Sequence, residues 1–440
     1  MGKLFGYADE NSNIRTEILA GITTFLTTMY IIVVNPSILS AAGMPFNGVL
    51  TATALVSAFS SILMGLYAKN PIVVAPGMGL NAFFAYTMVQ GMGIAWQQAL
   101  GAVFWAGVIF LLLSLLNIRT RFVLAIPHQL RYGLAAGIGL FITLIGFKNA
   151  GFITSNQVTV IGRGALDAVS LTFLLGLALS ALLVARQIKG ALIFGIVATT
   201  LAALPIGRLY GDASAINFGN ATLVSWQGLV SMPDFSLVLQ LDLAGSLNLS
   251  FIPVLFTLLF TDMFDSISTF MGVTEAGSLT DSKGNPRNIR ESMIVDAVAT
   301  TFSGLVGSSP GTAYIESATG IAQGGRTGLT AVVAGVLFLP FIFLSPLLSV
   351  VPAIATAPAL VLVGVFMMEP VVKIRWKHYE DSIPAFLAMI LMPLSFSITQ
   401  GIVWGFLSWT ILQLFSGKRD SISPALLVID LFAILALVAE

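Results

Sequence analysis

The chain has 440 residues, 57% of them hydrophobic and only 9% charged, with 20 Lys+Arg against 20 Asp+Glu and a mean hydropathy of +0.95. A soluble globular chain carries roughly 25% charged residues, so a water-covered surface is excluded and membrane lipid is the solvent that fits; zero net charge gives no reason to expect nucleic acid as a partner. Cys is absent and His128 and His378 are the only histidines, which removes disulfides, thiolate chemistry and histidine-rich metal clusters, so neither metal nor cofactor is expected.

A membrane-crossing helix needs about 20 apolar residues. Residues 1–17 are largely polar, and the apolar run behind them lacks a small-residue cleavage site, so it reads as a first spanning helix rather than a signal peptide. In chain order the spacing predicts spans at 17–39, 46–67, 71–89, 97–117, 130–150, 164–184 and 188–206. A more polar stretch, 207–249, separates these from spans at 250–273, 290–308, 311–324, 328–349, 354–371, 382–397 and 399–416. The count is fourteen, with an apolar tail at 421–438 that lies either in the interface or against the bundle. The alternative joins 382–416 into one broken span and makes the tail the fourteenth.

Charge placement favours the first count. With the N-terminus cytoplasmic, most Lys and Arg fall inside, among them Lys69, Arg131, Lys189, Arg287, Arg326 and Lys373, and Lys148, Arg163 and Arg208 fall outside. Lys418 and Arg419 join the inside set only if 382–397 and 399–416 are separate. The stretch 207–249 is then an extracytoplasmic loop.

Two segments stand apart, the third and the tenth. One begins Pro71-Ile72-Val73-Val74-Ala75-Pro76-Gly77, the other Ser309-Pro310-Gly311-Thr312-Ala313-Tyr314-Ile315-Glu316. Proline disfavours helix just before itself and is tolerated at a helix start, so each reads as an extended strand turning into a half-length helix in mid-membrane. The halves echo one another: Ala106-Gly107-Val108 resembles Ala334-Gly335-Val336, and Pro127–Gly139 matches the spacing of Pro352–Gly364. Seven is odd, so a second set of seven spans runs upside down relative to the first. The expected fold is an all-α polytopic membrane protein of 14 transmembrane segments in a 7+7 inverted repeat, with broken third and tenth helices. Paired broken helices in such a repeat point to a midplane solute site.

Ionisable groups at bilayer depth are costly and usually functional. Asp262 and Asp265 are three apart in one span and share a helix face; close carboxylates repel when both are ionised, which suits one of them to carrying a proton. The competing view is a structural pair capped by Ser, Thr or backbone donors. Glu316 is expected about a turn and a half into the second half-helix, where a carboxylate can accept from two adjacent donors on a nucleobase edge. Asn81, on the opposing half-helix, both donates and accepts. Backbone N–H groups at the two helix starts, near Gly77 to Gly79 and Gly311, Thr312 and Ala313, are further candidate donors. Phe83, Phe84, Tyr86, Phe264 and Tyr314 are candidates for stacking on a planar solute. Gly324-Gly325-Arg326-Thr327-Gly328 reads as a tight turn between spans and lacks the spacing of a phosphate loop.

Three separated runs closely resemble one family: Ala75-Pro76-Gly77-Met78-Gly79-Leu80-Asn81-Ala82-Phe83-Phe84, then Asp262-Met263-Phe264-Asp265-Ser266, then Ala313-Tyr314-Ile315-Glu316-Ser317-Ala318-Thr319-Gly320 with Gly324-Gly325-Arg326-Thr327-Gly328 behind it. Together they resemble the AzgA-like adenine, guanine and hypoxanthine permeases of the nucleobase–cation symporter-2 group, over essentially the whole chain. The resemblance implies proton symport of a purine nucleobase by an elevator-like movement of a core domain against a gate domain, in the cell membrane and as a homodimer. It implies a core made of residues 1–117 and 250–349, a gate made of 118–206 and 350–440, and the loop 207–249 between them. It also implies that Asn81, Asp262 and Glu316 bind the base, with Asp265 the second carboxylate of proton coupling. Relatives in the wider group often have Glu where Asp262 stands, which leaves the proton site open between Asp262, Asp265 and Glu316.

The alternative in another class is an anion carrier or channel of the same fold, for sulfate- or bicarbonate-like solutes. It would be expected to place a neutral or basic residue near the half-helix starts, where this chain has Asp262 and Glu316. No pairing of nucleophile and base suggests an enzyme.

Overall fold

The computed structural model describes residues 12–116, 127–156, 160–209, 228–248, 251–276, 279, 287–418 and 421–439. Residues 210–227 of the expected outer loop and the side chain of Phe264 lie outside the described residues. Apart from two short strand pairs the chain is an all-α polytopic membrane protein. Among the described residues, eight helical stretches are long and apolar enough to cross a bilayer, and shorter apolar helices accompany them.

The first half contains α1 (Ile14–Thr28), α2 (Ile31–Ser40), α3 (Phe46–Leu63), strand β1 (Val74–Pro76), α4 (Met78–Ala82), α5 (Trp96–Leu115) and α6 (His128–Asn149). A hairpin of β2 (Ile153–Asn156) and β3 (Val160–Arg163) leads to α7 (Ala168–Ala185) and α8 (Ala191–Leu209). Then follow α9 (Ile252–Ala276), α10 (Ile289–Val306), β4 (Gly311–Ala313), α11 (Ser317–Ala322) and α12 (Gly328–Phe338). The last four are α13 (Ala353–Met367), α14 (Tyr379–Ser395), α15 (Ile398–Phe415) and α16 (Pro424–Ala439).

Packing divides the helices into two groups. Helices α1, α3 and α5 pack with α9, α10 and α12, whereas α6, α7 and α8 pack with α13, α14 and α15. The groups meet where α4 and α9 lie against α6 and where α2 lies against α13. Residues 379–415 form two helices that turn at Phe396, whose φ of 53° ends α14 in a left-handed cap. The tail that sequence left between interface and bundle packs against α9 and α15.

Both broken segments are a strand followed by a helix. β1 and β4 pair antiparallel, with Val74 opposite Ala313, Ala75 opposite Thr312 and Pro76 opposite Gly311. An unpaired backbone group at bilayer depth costs on the order of several kcal/mol, and each extended segment satisfies the other. Hydroxyls close the remaining edges: Ser61 Oγ bonds both Val74 N and Val74 O at 3.0 Å, and Ser317 Oγ accepts from Val73 N at 3.0 Å. This pairing moves the second half-helix. Residues 311–313 belong to the strand, so α11 starts at Ser317, and Glu316 is its N-cap instead of lying a turn and a half inside.

The glycine-rich turn has a packing reason. Gly65 and Gly328 approach so closely that a Cβ on Gly65 would stand 2.2 Å from Gly328 O. Gly324, at φ +105°, turns the chain, and the buried Glu17 carboxylate accepts from Arg326 N at 3.0 Å, Thr327 N at 3.2 Å and Thr330 Oγ1 at 2.5 Å. Those donors lie at the start of α12, where backbone N–H groups lack helical partners.

The sequence echoes fall at matching contacts. Pro127 and Pro352 are the N-cap residues of α6 and α13, and Gly139 and Gly364 lie against one another where these helices cross. Gly107 of α5 packs on Thr301 of α10, while Gly335 of α12 packs on Ala58 and Ile62 of α3.

Candidate functional site

A cavity of about 260 Å³ lies between the two helix groups, beside the strand pair. Ligand cavities generally run from roughly 300 to 1,000 Å³, so this one suits a small solute. One wall comes from the first group: Gly77 to Gly79, Thr312 to Glu316, Tyr30 from the break between α1 and α2, and Asp265 and Thr269 from α9. The other comes from α6, with His128, Arg131, Tyr132 and Ala135, and from the end of α13 and the turn after it, with Phe366, Glu369 and Lys373. The wall bearing the strand pair is acidic. The facing wall carries Arg131 and Lys373.

Glu316 reaches the cavity because β4 ends at Ala313 and the chain turns into α11 just beyond it. Its Oε1 accepts from Tyr30 Oη at 2.7 Å, and its backbone carbonyl accepts from Thr319 Oγ1 at 2.7 Å. Among the described residues no side chain bonds Oε2. Tyr30 is 1% exposed and sits at the junction of α1 and α2, where the helix is interrupted. The other tyrosine of the wall, Tyr314, donates to Pro76 O at 2.5 Å and so is tied to the strand pair.

Asp265 and Asp262 are placed differently despite sharing a helix. Asp265 lines the cavity and accepts weakly from Thr312 Oγ1 at 3.5 Å. Thr312 Oγ1 also lies 2.8 Å from Ser266 Oγ, which donates to the buried Asp296. Asp262 does not line the cavity. It is 1% exposed behind β4, where Thr300 Oγ1 lies 2.6 Å from its Oδ2 and 3.1 Å from Gly311 O. Thr300 thus ties this carboxylate to the strand.

The remaining sequence candidates split along the same line. Gly79, Thr312 and Ala313 line the cavity with Glu316. Gly79 has no room for a side chain, since a Cβ there would stand 2.5 Å from Ile138 Cγ2. Asn81 and Phe83 are fully buried away from the cavity lining. Asn81 Oδ1 accepts from Ser309 Oγ at 2.5 Å, and among the described residues its Nδ2 has no partner. Phe84 and Tyr86 are likewise buried.

Sequence reasoning passed over Tyr30, Arg131 and Lys373. Arg131 had a signal: it sits inside the predicted span 130–150 and is only 7% exposed, yet counted there only as a cytoplasmic charge. Tyr30 had none beyond its place inside the predicted span 17–39.

Comparison with known proteins gives the chain its relatives. The model described as "Permease family" matches residues 15–404. The adenine permease AdeP of Escherichia coli K12 is 42% identical over 439 residues, covering 99% of this chain and 95% of AdeP. The guanine/hypoxanthine permease PbuO of Bacillus subtilis 168 is 40% identical over 438 residues, covering 98% of each chain. The transmembrane domain of a cyanobacterial bicarbonate transporter, BicA, has the same fold, with a TM-score of 0.64 over 88% of this chain and 97% of that one at 15% identity. Matching over nearly its full length, the chain belongs to this permease family, the nucleobase–cation symporter-2 group, and is a multi-pass membrane transporter.

Proposed function

We propose that the protein takes up a purine nucleobase together with a proton, by secondary active transport. The observation that carries this is the cavity at the strand pair, whose wall presents Glu316 and Asp265 in a chain that aligns end to end with permeases named for adenine and for guanine and hypoxanthine. A buried carboxylate in a small cavity accepts N–H donors from a planar base, and a second carboxylate beside it exchanges a proton. Glu316 binds the base, with Gly79, Thr312 and Ala313 forming the surface on which it rests. Asp265 carries the proton. Asn81, Asp262 and Phe83 hold the strand pair and its half-helices from behind.

Two features support an alternating-access carrier built as a 7+7 inverted repeat of fourteen spans. β1 and β4 run antiparallel, as corresponding elements of an inverted repeat would. The contact of α5 with α10 and that of α12 with α3 use the echoed glycines Gly107 and Gly335 in equivalent roles. The two helix groups fit a core of residues 1–117 and 250–349 and a gate of 118–206 and 350–440. The core slides against the gate in an elevator-like movement, and a homodimer held through the gate anchors it in the cell membrane. With the N-terminus cytoplasmic, His128 and Lys373 stand at a cytoplasmic mouth and the conformation is inward-open.

An anion carrier of the same fold would keep acidic groups away from the ends of the strand pair, and here Asp265 and Glu316 line that wall. The test is equilibrium binding of adenine, hypoxanthine and sulfate to the purified protein. Saturable purine binding with none of sulfate supports the proposal. Sulfate binding without purine binding would replace it with the anion carrier.

A further inference from the structure

We propose that Tyr86 and Asn149 form the outer gate of the transport path: a contact between the two helix groups that closes the far side of the cavity in this conformation and breaks when the core slides. The inference rests on the alternating-access reading above and goes beyond it to the residues that control access.

The two residues stand on opposite sides of the boundary. Tyr86 belongs to the first group, on the π-helical stretch Phe83–Gly91 that continues α4, and is 3% exposed. Asn149 is the last residue of α6 in the second group, and its Nδ2 donates to Tyr86 Oη at 2.9 Å. Rings of the second group complete the contact. Phe396, in the turn between α14 and α15, meets Tyr86 edge-on with centroids 6.3 Å apart, and Phe141 of α6 meets Phe396 at 5.2 Å. Lys148 Nζ lies 4.9 Å from the Phe396 centroid and 5.9 Å from that of Tyr86, so one cation covers a ring from each group.

Its place along the helix says what this contact closes. The cavity takes its α6 wall only from His128 to Ala135. At 1.5 Å per residue, Asn149 lies about 21 Å further along the helix than Ala135, at the end opposite the mouth marked by His128 and Lys373. Neither Tyr86 nor Asn149 lines the cavity, so the pair governs access without touching the solute. A neutral hydrogen bond, an edge-on ring pair and a shared cation are each weak. Together they close the path, and singly they are small enough for a sliding core to break and remake in every cycle.

The chain has no Cys, so Ala135→Cys places a single thiol in the cavity wall. The experiment follows its alkylation by a membrane-impermeant maleimide from each face of oriented vesicles, beside uptake of labelled purine. It is run in that parent and with Tyr86→Phe or Asn149→Ala added. In the parent the thiol is expected to react faster from the cytoplasmic face than from the outer one. Either added change removes the bond, and each is expected to raise the outer rate roughly fivefold, the size of one neutral hydrogen bond. The two together are expected to do no more than either alone, because they remove the same bond. The bond is tested from both ends, so one variant that fails to fold leaves the other to decide. A merely structural contact would lower thermal stability and leave the ratio of outer to cytoplasmic rates unchanged, and that result overturns the proposal. A parent thiol that reacts equally from both faces overturns it as well, and needs no gate variant. Failure of the underlying reading is distinct: a folded parent that takes up no purine removes the transport path itself, whatever the labelling shows.

Discussion

The side chains around the cavity sort by what already holds them. Glu316 has one oxygen engaged by Tyr30, Asp265 has among the described residues only a long contact from Thr312, and Asp262 is tied through Thr300 to the backbone of Gly311. The two that face the cavity with acceptor capacity to spare are the ones positioned to act on a solute and a proton. Replacing Glu316 by Gln removes the charge from the hydrogen bond to the base. Such bonds are worth about 1.5–3 kcal/mol, so Glu316→Gln is expected to weaken purine binding roughly ten- to a hundredfold, read by equilibrium binding. Asp265→Asn is expected to leave exchange of labelled for unlabelled purine intact while abolishing accumulation driven by a proton gradient; accumulation that survives it would move the proton elsewhere. That two carboxylates one helical turn apart would matter was legible in the run Asp262-Met263-Phe264-Asp265. Which of them faces the cavity was not, because that depends on Thr300 and Thr312, which arrive from other parts of the chain.

Elements in mid-membrane are held by satisfying one another's backbone. Among the described residues β1 and β4 have no other strands beside them, and their outer edges rely on Ser61, Ser317 and Thr300. Thr300→Val strips the shared hydroxyl from Asp262 and Gly311 O, both buried. A hydrogen bond to a charged group is worth about 1.5–3 kcal/mol, so losing this one is expected to lower thermal stability in detergent, with purine affinity in the folded fraction little changed. The approach of the chain just after α3, at Gly65, to the start of α12 is as demanding. Gly65→Leu would force a side chain into Gly328 O and Val332, and overpacking of this kind costs typically about 1–3 kcal/mol; a clear fall in melting temperature is the expected reading. The Pro-Gly breaks at 76–77 and 310–311 announced both broken segments in the sequence. Their pairing, and hence the delayed start of α11, were not announced, because a three-residue strand carries no mark of its partner. Tyr30 and Glu316 show the same limit more sharply, since they meet from positions 286 residues apart in sequence.

At the scale of the whole molecule, the proposed carrier works by moving one helix group against the other. A Cβ built on Gly79 lies 3.9 Å from Ile138 Cβ across their boundary, within the roughly 3.5–4.5 Å range of disulfides. The native chain has no Cys, so Gly79→Cys with Ile138→Cys gives one defined cross-link. Oxidation is expected to stop purine transport and reduction to restore it; equal transport in both forms would contradict relative movement at this boundary. The central claim is that the cavity serves a proton-driven purine carrier. Its most direct test is uptake of labelled adenine and hypoxanthine into vesicles containing the purified protein, with and without an imposed inward proton gradient, beside Glu316→Gln. Accumulation of a purine that appears with the gradient and disappears in the variant is the predicted result. No purine uptake by correctly folded protein, or uptake indifferent to both the gradient and Glu316, would contradict it.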